Sequence, residues 1–140
     1  QQQNTAKSTG LPIWTREQVQ NLLHHPSVVN YRATPQQLDL LREALQRYVG
    51  TKPYQNFTRG MVPGDRSAQR YILSFDVHEP IVYKHDNGDD GMEWIPTVVV
   101  GQSFLFHQIR KMVGLAMDVV RNPPTLVSLQ TMDQALDKHI

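Results

Sequence analysis

The chain has 140 residues, with 14 Lys and Arg against 13 Asp and Glu, a formal net charge of +1, and no cysteine. That length suits one compact domain. The lack of cysteine excludes a disulfide scaffold, a thiolate-ligated metal site and a cysteine nucleophile. Apolar runs such as Val98-Val99-Val100 fall far below the roughly 18 residues of a membrane span, so no membrane partner is expected. A net charge near zero argues against a globally basic nucleic-acid binder.

Residues 1–10 are polar, without the pattern of a signal or transit peptide, and predict a linker that buries too little surface to order itself. Residues 11–31 carry a weak helical pattern, in which Thr15 is the candidate N-cap and Pro26 the stop.

A better specified helix follows at 35–49. Residues 34–37 read Thr-Pro-Gln-Gln, which supplies an N-cap, a proline in the first turn and the glutamine of a capping box. Gly50 is the expected residue just past the C-terminus. Apolar residues recur at helical spacing between these ends: Leu38, Leu41, Leu45 and Tyr48.

The middle of the chain predicts strands and turns. Residues 61–65 read Met-Val-Pro-Gly-Asp, a turn. Alternation over 69–77 predicts a half-buried strand. Its expected buried face holds Tyr71, Leu73, Phe75 and Val77.

An acidic turn at 86–91 predicts a hairpin between a strand ending near Lys84 and one beginning near Met92. It lacks the closing glutamate of a calcium loop, which favours a solvated turn over a metal site. Pro96 within the β-rich run 94–100 indicates an edge strand or a bulge.

Two helices, at about 104–121 and 125–138, complete the chain around Pro123-Pro124. The order of helix, strands and helices predicts an α+β fold, in which an antiparallel sheet is flanked by helices.

The charges are unevenly distributed. Between positions 52 and 70 there are four cations and only one acidic residue, Asp65. With Tyr54 and Phe57 interleaved, this loop has the composition that neutralises phosphates and stacks bases. The alternative is a solvated loop anchored to the core by its two aromatic rings. The four cations are Lys52, Arg59, Arg66 and Arg70.

The segment 101–114 predicts a helix with two unlike faces. At 100° per residue its apolar residues gather on one side, opposite a polar side that Gly114 leaves open to a ligand backbone. The apolar side holds Leu105, Ile109, Met112, Val113, Ala116 and Val120, and the polar side holds His107, Arg110, Lys111 and Gly114. The alternative interpretation is that Arg110 and Lys111 only form an ordinary solvated face of the helix.

Three blocks of sequence resemble the C-terminal half of the TruA family of tRNA pseudouridine synthases, and its eukaryotic branch in particular. They are GTKPYQNFT at 50–58, SAQRYIL at 67–73 and GQSFLFHQIRKMVG at 101–114, in the family's order. The resemblance extends from about Tyr31 to the last helix, and implies the C-terminal half of a pseudouridine synthase catalytic fold over 11–140.

By position, Arg110 matches the family arginine that pairs with a catalytic aspartate. The family flips a uridine out of its stack and rejoins the base to the ribose through C5, with no cofactor or metal. The resemblance implies tRNA as partner, with other RNAs as a wider alternative. Residues expected in the cleft are Lys52, Asn56, Phe57, Arg59, His107 and Lys111.

Two departures from the family pattern stand out. The Gly-Arg-Thr-Asp type motif with the aspartate is absent from these 140 residues, so the N-terminal half of the enzyme is expected to supply it. Where the eukaryotic family reads His-Asn-Phe-His, positions 52–55 read Lys-Pro-Tyr-Gln. The rival interpretation is therefore a non-catalytic RNA-binding or ribonucleoprotein subunit that kept the fold. A nuclear location is expected, with the mitochondrion as alternative.

Overall fold

The computed structural model describes residues 13–121 and 126–140. Two compact units form it: one from residues 13–31 with Val82–Glu93, the other from Arg32–Ile81 with Trp94–Ile140. The predicted linker at 1–10 and the Pro123-Pro124 break lie outside the described residues. None of the helices within the described ranges has the length and apolarity needed to cross a membrane.

Three short helices come first, then five short strands and finally two helices. In chain order they are α1 Arg16–Leu23, α2 Pro26–Val29, α3 Pro35–Gln46, β1 Gly50–Pro53, β2 Gln69–Val77, β3 Ile81–Lys84, β4 Asp90–Trp94, β5 Thr97–Gly101, α4 Gln108–Arg121 and α5 Leu129–Ala135. The α+β fold with antiparallel strands is as predicted.

The first unit contains α1, α2 and the β3–β4 hairpin. Thr15 caps α1 through a capping box with Gln18, which confirms the predicted N-cap. The hairpin turn is also as predicted, closed by the His85 amide on the Asp89 carbonyl at 3.0 Å. Two of its acidic side chains have local partners, since Asp90 pairs with Lys84 and Asp89 accepts from the Asn87 side chain.

Helix α3 begins as predicted and ends early. The Thr34 hydroxyl accepts from the Gln37 amide at 3.1 Å, and the Gln37 side chain accepts from the Thr34 amide at 2.9 Å. The C-terminal prediction is wrong, because Arg47 caps the helix and Gly50 instead opens β1 with φ +105°. That left-handed backbone, which glycine adopts without strain, turns the chain from the helix into the sheet.

The second unit contains an antiparallel sheet in the order β1-β2-β5. Strand β2 covers the predicted residues, but its faces differ from the simple alternation. The register against β5 shifts between Ile72 and Ser74, so Leu73 is the extra residue of a bulge. Ile72 and Phe75 are consequently buried, whereas Tyr71 and Leu73 are exposed, contrary to the predicted face.

Two further boundaries correct the sequence prediction. The run 94–100 is not one strand: β4 ends at Trp94, Pro96 lies in the connection, and β5 begins at Thr97 as an edge strand. Proline interrupts because it cannot donate to a ladder. The last helix, α5, is shorter than the predicted 125–138 and starts at the Ser128 cap.

A cluster of aromatic residues fills the core where α3, α4 and β2 meet. Tyr48, Tyr54, Phe57 and Phe75 are each at most 2% exposed, and Tyr48 contacts the other three rings. The Tyr48 hydroxyl donates to the Met112 carbonyl in α4 at 2.9 Å, and the Tyr54 hydroxyl donates to the Tyr48 carbonyl at 2.9 Å. Burial raises the pKa of both phenols, so they remain protonated donors.

We expect Thr34→Ala to lower the free energy of unfolding by about 1 kcal/mol, since it removes the cap of a helix packed into the core. Urea denaturation measures the change. Thr15→Ala removes the same kind of cap from α1, which has no buried residue, and should leave the main transition nearly unchanged. An equal loss in both variants would contradict the assignment of α3 to the stable core.

Tyr48→Phe should destabilise the protein by about 1 kcal/mol, because the buried Met112 carbonyl loses its phenol donor. Tyr71→Phe, at an exposed ring, is the control and should change the stability little.

The same phenol predicts a pH effect. Its folded-state pKa lies above the ordinary value of about 10, so stability is full below that pH and falls as pH rises beyond it. In Tyr48→Phe the alkaline fall should be shallower, measured by urea unfolding at stepped pH. A fall as steep as in the unsubstituted protein would refute the role of Tyr48.

Candidate nucleic-acid interface

The start of α4 is a turn followed by a helix, and not the continuous helix predicted from position 104. The buried side-chain oxygen of Gln108 accepts from the backbone amide of Leu105 at 2.8 Å. The backbone amide of Gln108 donates to the Leu105 carbonyl at 3.1 Å. His107 has φ +62°, a left-handed conformation that cannot continue a helix. The helix therefore begins at Gln108.

The two faces of α4 agree with the pattern read from its sequence, with one exception. Met112 and Ala116 are buried, while Arg110, Lys111 and Gly114 are exposed. A Cβ on Gly114 would meet nothing within 4 Å, so the backbone there is open to a close approach. The exception is that Ile109, predicted on the buried side, is 37% exposed, and Val119 is buried in the core instead.

The two aromatic rings of the 52–59 loop are core residues. Tyr54 is fully buried and Phe57 is 2% exposed, packed edge-on against Tyr48. In this conformation neither ring offers a free face to a base, so the expectation that Phe57 contacts RNA by stacking is wrong. The alternative interpretation, in which both rings anchor the loop, describes them correctly.

The amide side chains of the same loop hold the segment 135–140. Gln55 donates to the carbonyls of Asp137 at 2.7 Å and Ile140 at 3.1 Å. Asn56 donates to the carbonyls of Ala135 at 3.0 Å and Ile140 at 3.1 Å. The side-chain NH2 group of Asn56, a residue predicted to lie in the cleft, therefore donates to backbone carbonyls of the protein itself.

A short chain of hydrogen bonds connects α4 with this loop. The Lys111 ammonium donates to the Thr58 carbonyl at 3.0 Å, and the Thr58 hydroxyl donates to the Phe106 carbonyl at 2.9 Å. Arg59 is exposed and directly follows Thr58. The structure thereby brings Arg59, Lys111 and the turn that holds His107 into one neighbourhood.

The remaining predicted residues are placed differently. Arg110 is exposed in the first turn of α4, and within the described ranges it forms no ion pair with any carboxylate. Lys52 is half-buried on β1, opposite Arg70 of β2. Arg70 turns to its own backbone, donating to the carbonyls of Ser67 and Gln69. Within the described residues, no hydrogen bond or ion pair joins Lys52 to the α4 neighbourhood.

A cleft of about 330 Å³ lies beyond the β1–β2 pair, lined among others by Pro53, Gln69 and the cations Arg66 and Lys138. Its one lining carboxylate, Asp65, accepts from the amide and hydroxyl of Ser67, and these bonds hold the pKa of Asp65 below its ordinary value. The cations Arg66 and Lys138 therefore line an open cleft whose carboxylate already has hydrogen-bond donors.

Sequence reasoning missed two residues of this region. Phe106 is 68% exposed beside His107, although the apolar pattern placed it within a helix. On the helical wheel Phe106 lies at the border between the two sides, nearer the apolar one, so the sequence carried no signal of its exposure. Tyr48 was predicted only as a packing residue, and its bond to the Met112 carbonyl has no signal in the sequence.

Comparison with known proteins gives a consistent result. A family model described as tRNA pseudouridine synthase matches residues 44–139. Among curated relatives, tRNA pseudouridine synthase 1 of Schizosaccharomyces pombe is 39% identical over 118 residues, 82% of this chain. The tRNA pseudouridine(27/28) synthase of Saccharomyces cerevisiae is 41% identical over 99 residues, 69% of this chain. The pseudouridylate synthase 1 homolog of Homo sapiens is 42% identical over 91 residues, 65% of this chain.

The matched region is only a part of each of these relatives. It spans 21% of the fission yeast protein, 24% of the budding yeast protein and 20% of the human protein. The family model nevertheless covers more than half of the present chain, including β1, β2, β5, α4 and α5. The chain thus belongs to the tRNA pseudouridine synthase family.

Proposed function

We propose that this chain forms one side of the RNA cleft of a TruA-type enzyme that isomerises uridine to pseudouridine in tRNA. The proposal extends to other RNAs as a wider substrate range. The other side of the cleft, with the catalytic aspartate, is contributed by an N-terminal half with the Gly-Arg-Thr-Asp type motif. On its own the present chain is therefore inactive.

The proposal rests on the exposure of Arg110 and on its lack of an acidic partner within the described residues. Its guanidinium lies on the exposed side of α4, and the described residues offer it no acidic partner. A guanidinium binds a carboxylate through two parallel hydrogen bonds, which fix the carboxylate's orientation and favour its ionised form. Arg110 is thus available for an aspartate from the proposed N-terminal half.

The proposed reaction needs no oxidant and no group donor. The C1′–N1 bond of uridine breaks, the base turns, and a C5–C1′ bond forms. C5 then loses its proton and N1 gains one, so the product is an isomer of the substrate. Arg110 acts here as a positioning residue, because it holds the carboxylate in its ionised form at the reacting sugar and base.

RNA binding is supported by cations that form no ion pair within residues 13–121 and 126–140. Arg59 and Lys111 lie beside the turn at 105–107, and Arg66 and Lys138 line the cleft beyond β1 and β2. Such groups bind phosphates and release counterions, a contribution that weakens with added salt. The net charge of +1 hides them, because acidic residues collect in the β3–β4 turn.

The rival function is an RNA-binding subunit without catalysis. The departure at positions 52–55 motivates it, since Tyr54 and Gln55 serve the core and the 135–140 segment. The reading frame upstream of Gln1 distinguishes the two functions: a Gly-Arg-Thr-Asp segment supports the enzyme, and its absence supports the subunit. A nuclear location, with the mitochondrion as alternative, is part of the proposal and is tested by imaging the tagged protein.

In the intact protein, Arg110→Ala should reduce uridine isomerisation by about a hundredfold or more, as expected when a charged contact at an active site is lost. tRNA binding should stay within a few fold. Isomerisation is measured by tritium release from C5-labelled tRNA, and binding by filter retention.

Arg121→Ala, at an exposed arginine in the last turn of the same helix, is the matched control and should keep its activity. Arg110→Lys should restore little, since an ammonium cannot form the paired hydrogen bonds. Full isomerisation by Arg110→Ala would remove Arg110 from the proposed site.

A further inference from the structure

An exposed pair of rings lies immediately before α4. The Phe106 side chain is 68% exposed, and the centroids of the Phe106 and His107 rings are 3.8 Å apart, with 47° between the ring planes. His107 is itself exposed. A large apolar ring gains nothing for folding when it stays in water. Within the described residues, Phe106 thus keeps a ring face that the core packing does not use.

The backbone that carries these rings is strained and firmly held. His107 adopts φ +62°, which is uncommon outside glycine. The Phe106 carbonyl accepts from Thr58, the Leu105 amide donates to Gln108, and the His107 carbonyl accepts from the Lys111 amide. Strained backbone persists where its surroundings over-determine it, and it concentrates at binding sites.

The rings lie among cations. Thr58 links a cation to the ring segment. Its carbonyl accepts from the Lys111 ammonium, and its hydroxyl donates to the Phe106 carbonyl. Arg59 follows Thr58 in sequence, and Arg110 lies in the same first turn of α4. An aromatic face flanked by Lys and Arg is the arrangement that binds single-stranded nucleic acid, with the ring on a base and the cations on phosphates.

We propose that Phe106, backed by the His107 ring, is a stacking platform for an unpaired nucleobase of the bound RNA. Lys111 and Arg59 contact the phosphates next to that base. This inference rests on the proposed function in one respect, that RNA is the ligand, and it is independent of the role of Arg110 in catalysis. It also supplies the stacking surface that the buried Tyr54 and Phe57 rings do not.

The test compares binding of a single-stranded uridine oligonucleotide with binding of a same-length oligonucleotide of abasic residues, using the intact protein and fluorescence anisotropy. Phe106→Ala should weaken binding to the uridine oligonucleotide about tenfold, within the range measured for loss of a stacked base. Binding to the abasic oligonucleotide should not change, because it depends on phosphate contacts alone.

Two variants serve as controls. Phe106→Tyr keeps an aromatic face and should bind within about twofold of the unsubstituted protein, since stacking tolerates any π-face. Tyr83→Ala removes another exposed ring that lies against a histidine, His85, in the acidic β3–β4 hairpin. Without a cationic setting, Tyr83 should contribute nothing to binding of either oligonucleotide.

Equal binding of the uridine oligonucleotide by Phe106→Ala and the unsubstituted protein would overturn the platform. So would an equal loss for both oligonucleotides together with a lowered melting temperature, since that result identifies Phe106 as a packing residue. Failure of the unsubstituted protein to bind either oligonucleotide or tRNA would instead overturn the proposed function.

Discussion

Tyr48, which follows α3, connects that helix with α4 and with the 52–59 loop, the segments on which the candidate interface depends. Its hydroxyl donates to the carbonyl of Met112 inside α4, while the carbonyl of Tyr48 accepts from the phenol of Tyr54 in the 52–59 loop. The connection lies where no water competes, so each bond is strong and each unpaired partner would be costly. The first turn of α4 is thereby fixed against the loop that carries Thr58 and Arg59.

This arrangement divides the aromatic residues into two sets with different tasks. The rings of Tyr48, Tyr54 and Phe57 fill the core and set the position of the loop. The rings of Phe106 and His107 lie outside, on backbone that the first set holds in place. Such a division suits a binding surface, because rigid supporting residues reduce the entropy lost when a ligand is bound. The proposed RNA contacts therefore depend on residues that never touch RNA.

Features determined by neighbouring residues could be predicted from the sequence, and features determined by distant contacts could not. The capping box at Thr34 and the hairpin turn after Lys84 are local, and both were predicted correctly. The bulge at Leu73 depends on pairing with β5, and Tyr71 and Leu73 are exposed rather than on the predicted buried face. No periodicity in β2 reveals that shift.

The same distinction holds for the candidate site. The helical wheel placed Arg110 and Lys111 on the exposed side of α4, because that property depends only on spacing. It did not predict the delayed start of α4, which follows from the left-handed backbone of His107 and from the turn that Gln108 closes on Leu105. The burial of Phe57 depends on Tyr48, which lies in another element.

The amide bonds of Gln55 and Asn56 have a consequence for the order of folding. They join residues 79 to 85 positions apart in sequence. Closing loops of that length costs entropy that only later contacts repay. During synthesis from the N-terminus, Gln55 and Asn56 can form these hydrogen bonds only after residues 135–140 have been synthesised. We expect these side chains to find their partners late, so that the candidate interface is completed after the β1–β2 pair has formed.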